Sequence, residues 1–167
     1  MTELDQIWSR MFTESEKNAQ AAGRGGVADY LRLRTTNDAI RPAAVAWLID
    51  TLIEIASPAI GTPQGVVVEI QDAHRFTLGT SSMAGSRLSI RRGVRCLNVE
   101  AGWARTPADG IMRGGSMAVA RVSHFGLPQR NSVFRLMRGT EFPSWVNEDD
   151  AAIDSGELIR HFEILMD

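Results

Sequence analysis

The chain has 167 residues, 44% of them apolar and 23% charged, which suits one domain able to bury about 70% of its unfolded surface and argues against a disordered or membrane class. A single cysteine, Cys96, excludes an internal disulfide and any zinc site built on several thiolates. The net charge of −2 conceals a segregation: six Lys or Arg against ten Asp or Glu in residues 1–74, eleven against two in 75–138, and one against eight in 139–167.

Lys17 is the only lysine, so arginine carries the positive charge. Coding bias explains arginine in place of lysine but not its clustering, because such a bias acts along the whole chain. The opening MTELDQIWSR is acidic and amphipathic and lacks the basic-then-apolar order of a secretory signal, so a cytoplasmic location is expected.

Thr2 is placed to cap a helix whose Leu4, Ile7, Trp8, Met11 and Phe12 recur at helical spacing, ending before Gly23. Gly23-Arg24-Gly25-Gly26 is a breaker, and Val27–Leu33 is too short to assign. Thr35-Thr36-Asn37-Asp38 supplies cap chemistry for a helix over 39–57 with Pro42 in its first turn. Ile40, Ala44, Trp47, Leu48, Leu52 and Ile55 form its apolar face, and the run is broken by Asp50 and Glu54, so it reads as a core helix.

Past the loop marked by Pro58, Gly61, Pro63 and Gly65 the period shortens to two. Strands are expected at Val66–Gln71 and His74–Thr80, with a turn at Asp72-Ala73. A hairpin over Ser86–Gly102 turns at Arg92-Gly93, with Leu88 and Ile90, then Val94, Leu97 and Val99, as its apolar positions. Trp103–Ser116 is a long irregular connection. Met117–Phe125 and Ser132–Arg138 complete the strands, and Ser155 caps a final short helix bearing Leu158, Ile159, Phe162 and Leu165, an edge strand being the alternative.

Helices first and consecutive strands second define an α+β domain, with N-terminal helices packed on a mostly antiparallel, curved sheet of about six strands and a short C-terminal helix or edge strand. One domain over 1–167 is expected, helical to about residue 60, sheet over about 65–140, and acidic over 141–167.

Long loops inside compact sheets are more often functional than idle, so the 103–116 loop is the first candidate, with Trp103, Arg105, Asp109 and Arg113 as ligand-binding residues. It lacks the lysine and the glycine spacing of a phosphate loop, and the competing role is a shaped connection in which Asp109 bonds its own backbone. His74, His124 and His161 have no metal-ligand spacing, so no metal is expected, and no cofactor is called for. His74 and His124, both on expected strands, are candidates to meet in the sheet. No nucleophile elbow is present, and Cys96 in mid-strand reads as an inert small apolar group.

The arginines are the most distinctive feature, and Arg87, Arg91, Arg92 and Arg95 on the hairpin are the candidates for anion or partner contact. They offer three readings: pairing with the acidic tail of the same or a second chain, a small anionic ligand, or nucleic acid. The sequence pI of 5.9 counts against nucleic acid. The expected function is therefore a non-catalytic domain that binds a partner or ligand and self-associates, using the basic sheet and the 103–116 loop. The alternative is a small-molecule or anion pocket between helix 39–57 and the sheet built on Arg105, Asp109 and His124. A second alternative is nucleic-acid binding through the arginine hairpin. No membrane partner is expected.

Overall fold

The computed structural model describes residues 3–11, 26–110, 112–139 and 142–167, the side chains of residues 26–37, 107 and 113 excepted. Residues 3–11 are helical (α1), and Leu4 and Trp8 bury one stripe of that helix, as the spacing predicts. The expected end of this helix at Gly23 and the breaker at Gly23–Gly25 lie outside the described residues.

The second helix, α2, runs from Gly26 to Ala56, thirteen residues longer at its start than the cap chemistry at Thr35–Asp38 implied. Good helix formers occupy 28–34, and Pro42 removes only the hydrogen bond to the Asp38 carbonyl, so the helix passes through the expected cap. Arg41, three residues after Asp38, sits 3.7 Å from its carboxylate and donates to the Met117 carbonyl at 2.9 Å. Ile40, Ala44, Leu48 and Leu52 are buried along the predicted face.

Six strands follow in a single antiparallel meander: β1 (Val67–Leu78), β2 (Ser81–Arg92), β3 (Arg95–Trp103), β4 (Ala118–His124), β5 (Ser132–Met137) and β6 (Ser144–Val146). Each pairs with its neighbour in sequence, and the curved sheet stays open at β1 and β6. The two strands expected at 66–71 and 74–80 are one. Asp72-Ala73 makes a bulge in β1, visible as a register shift between Gln71 and His74, and the chain turns at Gly79-Thr80. Gly79 has φ +61° there and Gly93 has φ +60° at the next turn, conformations that a Cβ disfavours. The sixth strand is Ser144–Val146, a three-residue segment too short for a period-two signal.

Alternation sorts the side chains onto two faces. Leu88, Ile90, Leu97, Val99, Ala101, Ala120, Val122, Phe134 and Leu136 face the helices and are buried with Trp8 and the apolar side of α2 in one cluster. Val94, expected on that face, is 89% exposed at the β2–β3 turn. The opposite face is polar: Glu69, Gln71, Arg87, Ser89, Asn98, Glu100 and Arg121 lie there in register.

The last element is a helix, α3 (Ser155–Met166), and its cap is Asp154, whose carboxylate accepts from the Gly156 amide at 2.9 Å. Leu158, His161 and Leu165 are its buried residues, while Ile159 is 39% exposed. Among the described residues no helix is long and apolar enough to cross a membrane.

Candidate functional site

α2 crosses the sheet over β2–β4, and β1 overhangs beyond it. Between the overhang and the helix lies a cleft of about 400 Å³. Val45, Ile49 and Asp50 form its helical wall; Ile70 and Asp72 of β1, Trp103 at the end of β3 and Arg105 just beyond it form the other. Asp72 belongs to the bulge, and its backbone carbonyl accepts from Ser86 at 3.4 Å, which ties the bulged rim to β2. The Arg105 guanidinium lies over the Trp103 ring, 3.8 Å from its centroid, and donates to the Ala84 carbonyl at 3.2 and 3.4 Å. A residue with a Cβ at position 85 would bring that carbon to 1.9 Å of the Ala101 carbonyl oxygen, so the strand floor of the cleft depends on Gly85.

Of the expected pocket constellation, only Arg105 lines this cleft, joined there by Trp103. Asp109 turns back on its own loop, its carboxylate accepting from the Arg105 amide at 3.3 Å, from the Thr106 amide at 3.1 Å and from the Thr106 hydroxyl at 3.1 Å. The Thr106 hydroxyl bond, with the two backbone bonds and Arg75 nearby, holds this carboxyl below the usual aspartate value despite some desolvation. Asp109 shapes a turn. His124 is paired in register with Leu97, six residues along β3 from Trp103 and so roughly 20 Å away. It does not meet Arg105.

Neither does His124 meet His74, because the two lie on opposite faces of the sheet. His124 faces α3, where its Nε2 is 2.8 Å from Nδ1 of His161, the rings stacked with centroids 5.1 Å apart. His74 is on the polar face, its Nε2 2.7 Å from Glu100. Arg121 grips the other oxygen of Glu100 at 2.7 and 3.1 Å and also donates to the Thr77 carbonyl. Burial raises the Glu100 carboxyl, but the hydrogen bonds from His74 and Arg121, with their charges, outweigh it and leave its pKa below the ordinary value.

The 103–116 loop folds onto that polar face at its Leu78 end. Ala104 and Met112 cover Phe76, Met83 and Val119, a second small apolar cluster. Arg113 stands in the one-turn segment Arg113–Gly115, and its side chain lies outside the described residues.

Within the arginine hairpin, three guanidiniums are engaged by the chain itself. Arg91 pairs with Glu69 across the strand pair at 2.6 Å. Arg92 donates to the carbonyls of Gln64 and Met166, and Arg95 to that of Ile164 at 3.4 Å. The last turn of α3 carries no basic residue of its own, so Arg92 and Arg95 supply the positive charge that its terminal carbonyls attract. Arg92→Ala is expected to cost about 1 kcal/mol by urea unfolding and to speed amide exchange at the end of α3, with Arg92→Lys recovering part of the loss. Among the described residues the acidic segment contributes one ion-pair partner to the sheet arginines, Asp150, which pairs with Arg135.

No family model, curated protein or solved structure matches this chain. Its chemistry is therefore read from geometry alone. Among the described residues no group of three His, Cys, Asp or Glu side chains is placed to hold a metal ion. A pocket against helix 39–57 is among the expectations, but its helical and β1 wall residues are not, because Asp50 and Ile49 sit on a core helix and Asp72 in an expected turn. Only the Trp103–Arg105 pair carried a signal, a flat aromatic followed at i+2 by a guanidinium at the mouth of a long loop.

Proposed function

We propose that this domain binds a small molecule with an apolar body and a cationic end in the cleft between α2 and the β1–β2 edge. The observation that carries this reading is the cleft itself: about 400 Å³, walled by Val45, Ile49, Ile70 and the Trp103 ring. A volume of that order suits a ligand of modest size, and an apolar wall with few polar groups is the common form of such sites. The charges at the rim select the polar end. Two aspartates, Asp50 and Asp72, line the cleft with a single arginine, Arg105, which is occupied by Trp103 and the Ala84 carbonyl. An amine directed at the two aspartates satisfies that imbalance.

Benzylamine is a suitable first probe, titrated while amide and indole resonances are followed. Saturable shifts at Val45, Ile49 and the Trp103 indole are expected, lost in Ile49→Trp, which fills the cleft, and weakened about tenfold in Asp50→Asn/Asp72→Asn. Shifts that centre elsewhere, or that survive Ile49→Trp, would refute the site.

A further inference from the structure

On the face of the sheet turned away from the helices, a polar depression of about 330 Å³ is lined by Glu69, Ile70, Gln71, Arg87 and Ser89. Three guanidiniums and two carboxylates occupy this face around it. Arg91 is matched by Glu69, and Arg121 by Glu100. Among the described residues Arg87 is left with one long contact, 3.4 Å from Nη2 to the Asn98 side-chain oxygen. That oxygen is better served by the Ser89 hydroxyl, at 2.5 Å. Arg87 lines the depression with no other hydrogen bond to its guanidinium among the described residues, in a setting with one positive charge in excess.

We infer that Arg87 marks a second binding site, for the carboxylate of a small organic acid. The guanidinium is a planar fork that matches a carboxylate in two parallel hydrogen bonds, and one excess positive charge is neutralised by one carboxylate. A phosphate dianion would leave a negative charge beside Glu69 and Glu100. Ser89, which also lines the depression, gives its proton to Asn98 and keeps only acceptor capacity, which favours an acid with a donor next to the carboxylate. Ile70 lines this depression as well as the cleft, which places an apolar patch at its margin. The anion expected from the arginine cluster thus has its best match at Arg87, while the neighbours that shared the expectation serve the fold.

The test is a titration with benzoate and mandelate, the second carrying a hydroxyl beside the carboxylate, read at the Arg87 Nε–H resonance and the amides of Gln71 and Ser89. Saturable binding in the millimolar range is expected, tighter for mandelate, and weakened about tenfold in Arg87→Gln while unchanged in Arg105→Gln. The Arg105 control separates this site from the cleft, so failure of one does not count against the other. Equal affinity in Arg87→Gln and the parent protein would overturn the assignment. So would a response no different from that to chloride, or tighter binding of inorganic phosphate than of either acid.

Discussion

Trp145→Ala is expected to lower the unfolding free energy by about 3–5 kcal/mol, the range for removing a large aromatic from a well-packed core. Trp145 is 1% exposed although it sits on the three-residue strand β6, and its indole N–H donates to the Ala44 carbonyl of α2 at 3.2 Å. Trp8, itself completely buried, donates in turn to the Pro143 carbonyl at 2.8 Å, so two indoles clamp the segment around β6 beneath α1 and α2. The transfer and cavity terms dominate, because the Ala44 carbonyl lies within α2 and keeps a helical partner. Trp145→Phe, which restores most of the volume and drops only the hydrogen bond, should cost about 1–2 kcal/mol. Urea midpoints for the pair decide it. A change below about 1 kcal/mol in Trp145→Ala would mean that β6 is not packed under the helix.

Acid should destabilise the fold well above the carboxylate range, through the His124–His161 pair. Burial, then the neighbouring His161 and Arg130, push His124 down to about 4. Burial also lowers His161, reinforced by Arg160 and opposed by Glu157 and Glu148. Among the described residues Nε2 of His161 is buried without a hydrogen-bond partner, and Glu157 lies 4.0 Å from it. Burial therefore favours the neutral form of both rings, one donating an N–H to the other along the 2.8 Å contact.

The sign follows from linkage. A histidine whose folded pKa lies below its unfolded value of about 6.5 binds more protons when unfolded, so stability is complete above that value and falls as pH drops toward 4. The pair loses on the order of a few kcal/mol over that window, at about 1.4 kcal/mol per pH unit for each proton taken up. Glu100 acts later and in a different range. Its lowered carboxyl contributes stability above the ordinary glutamate value and loses it only below. Unfolding free energies measured from pH 7 to 4.5 should slope downward in the parent protein and run nearly flat in His124→Leu/His161→Leu. An unchanged slope in the double variant would assign the acid sensitivity to other groups.

The parts of this protein that local pattern determines were legible in its sequence. Period 3.6 marked α1 and the buried face of α2, period two marked the longer strands, and Arg92-Gly93 marked the hairpin turn, because these signals depend on neighbours a few residues away. The α+β order followed from them. Patterns that compete locally were decided by context: the cap residues at 35–38 yielded to a helix that Pro42 barely interrupts, and Asp72-Ala73 became a bulge because both halves of β1 pair with β2. What tertiary structure alone decided is the chemistry between distant residues. Register across four strands sets Glu100 between His74 and Arg121. The docking of α3 brings His161 to His124, 37 positions away, and engages Arg92 and Arg95 at its last turn. The overhang of β1 beyond α2 opens the cleft that Trp103 and Arg105 wall. A sequence records which side chains are available to an ion pair or a pocket, but the pairing itself depends on distances of a few ångströms set by strand register and helix packing.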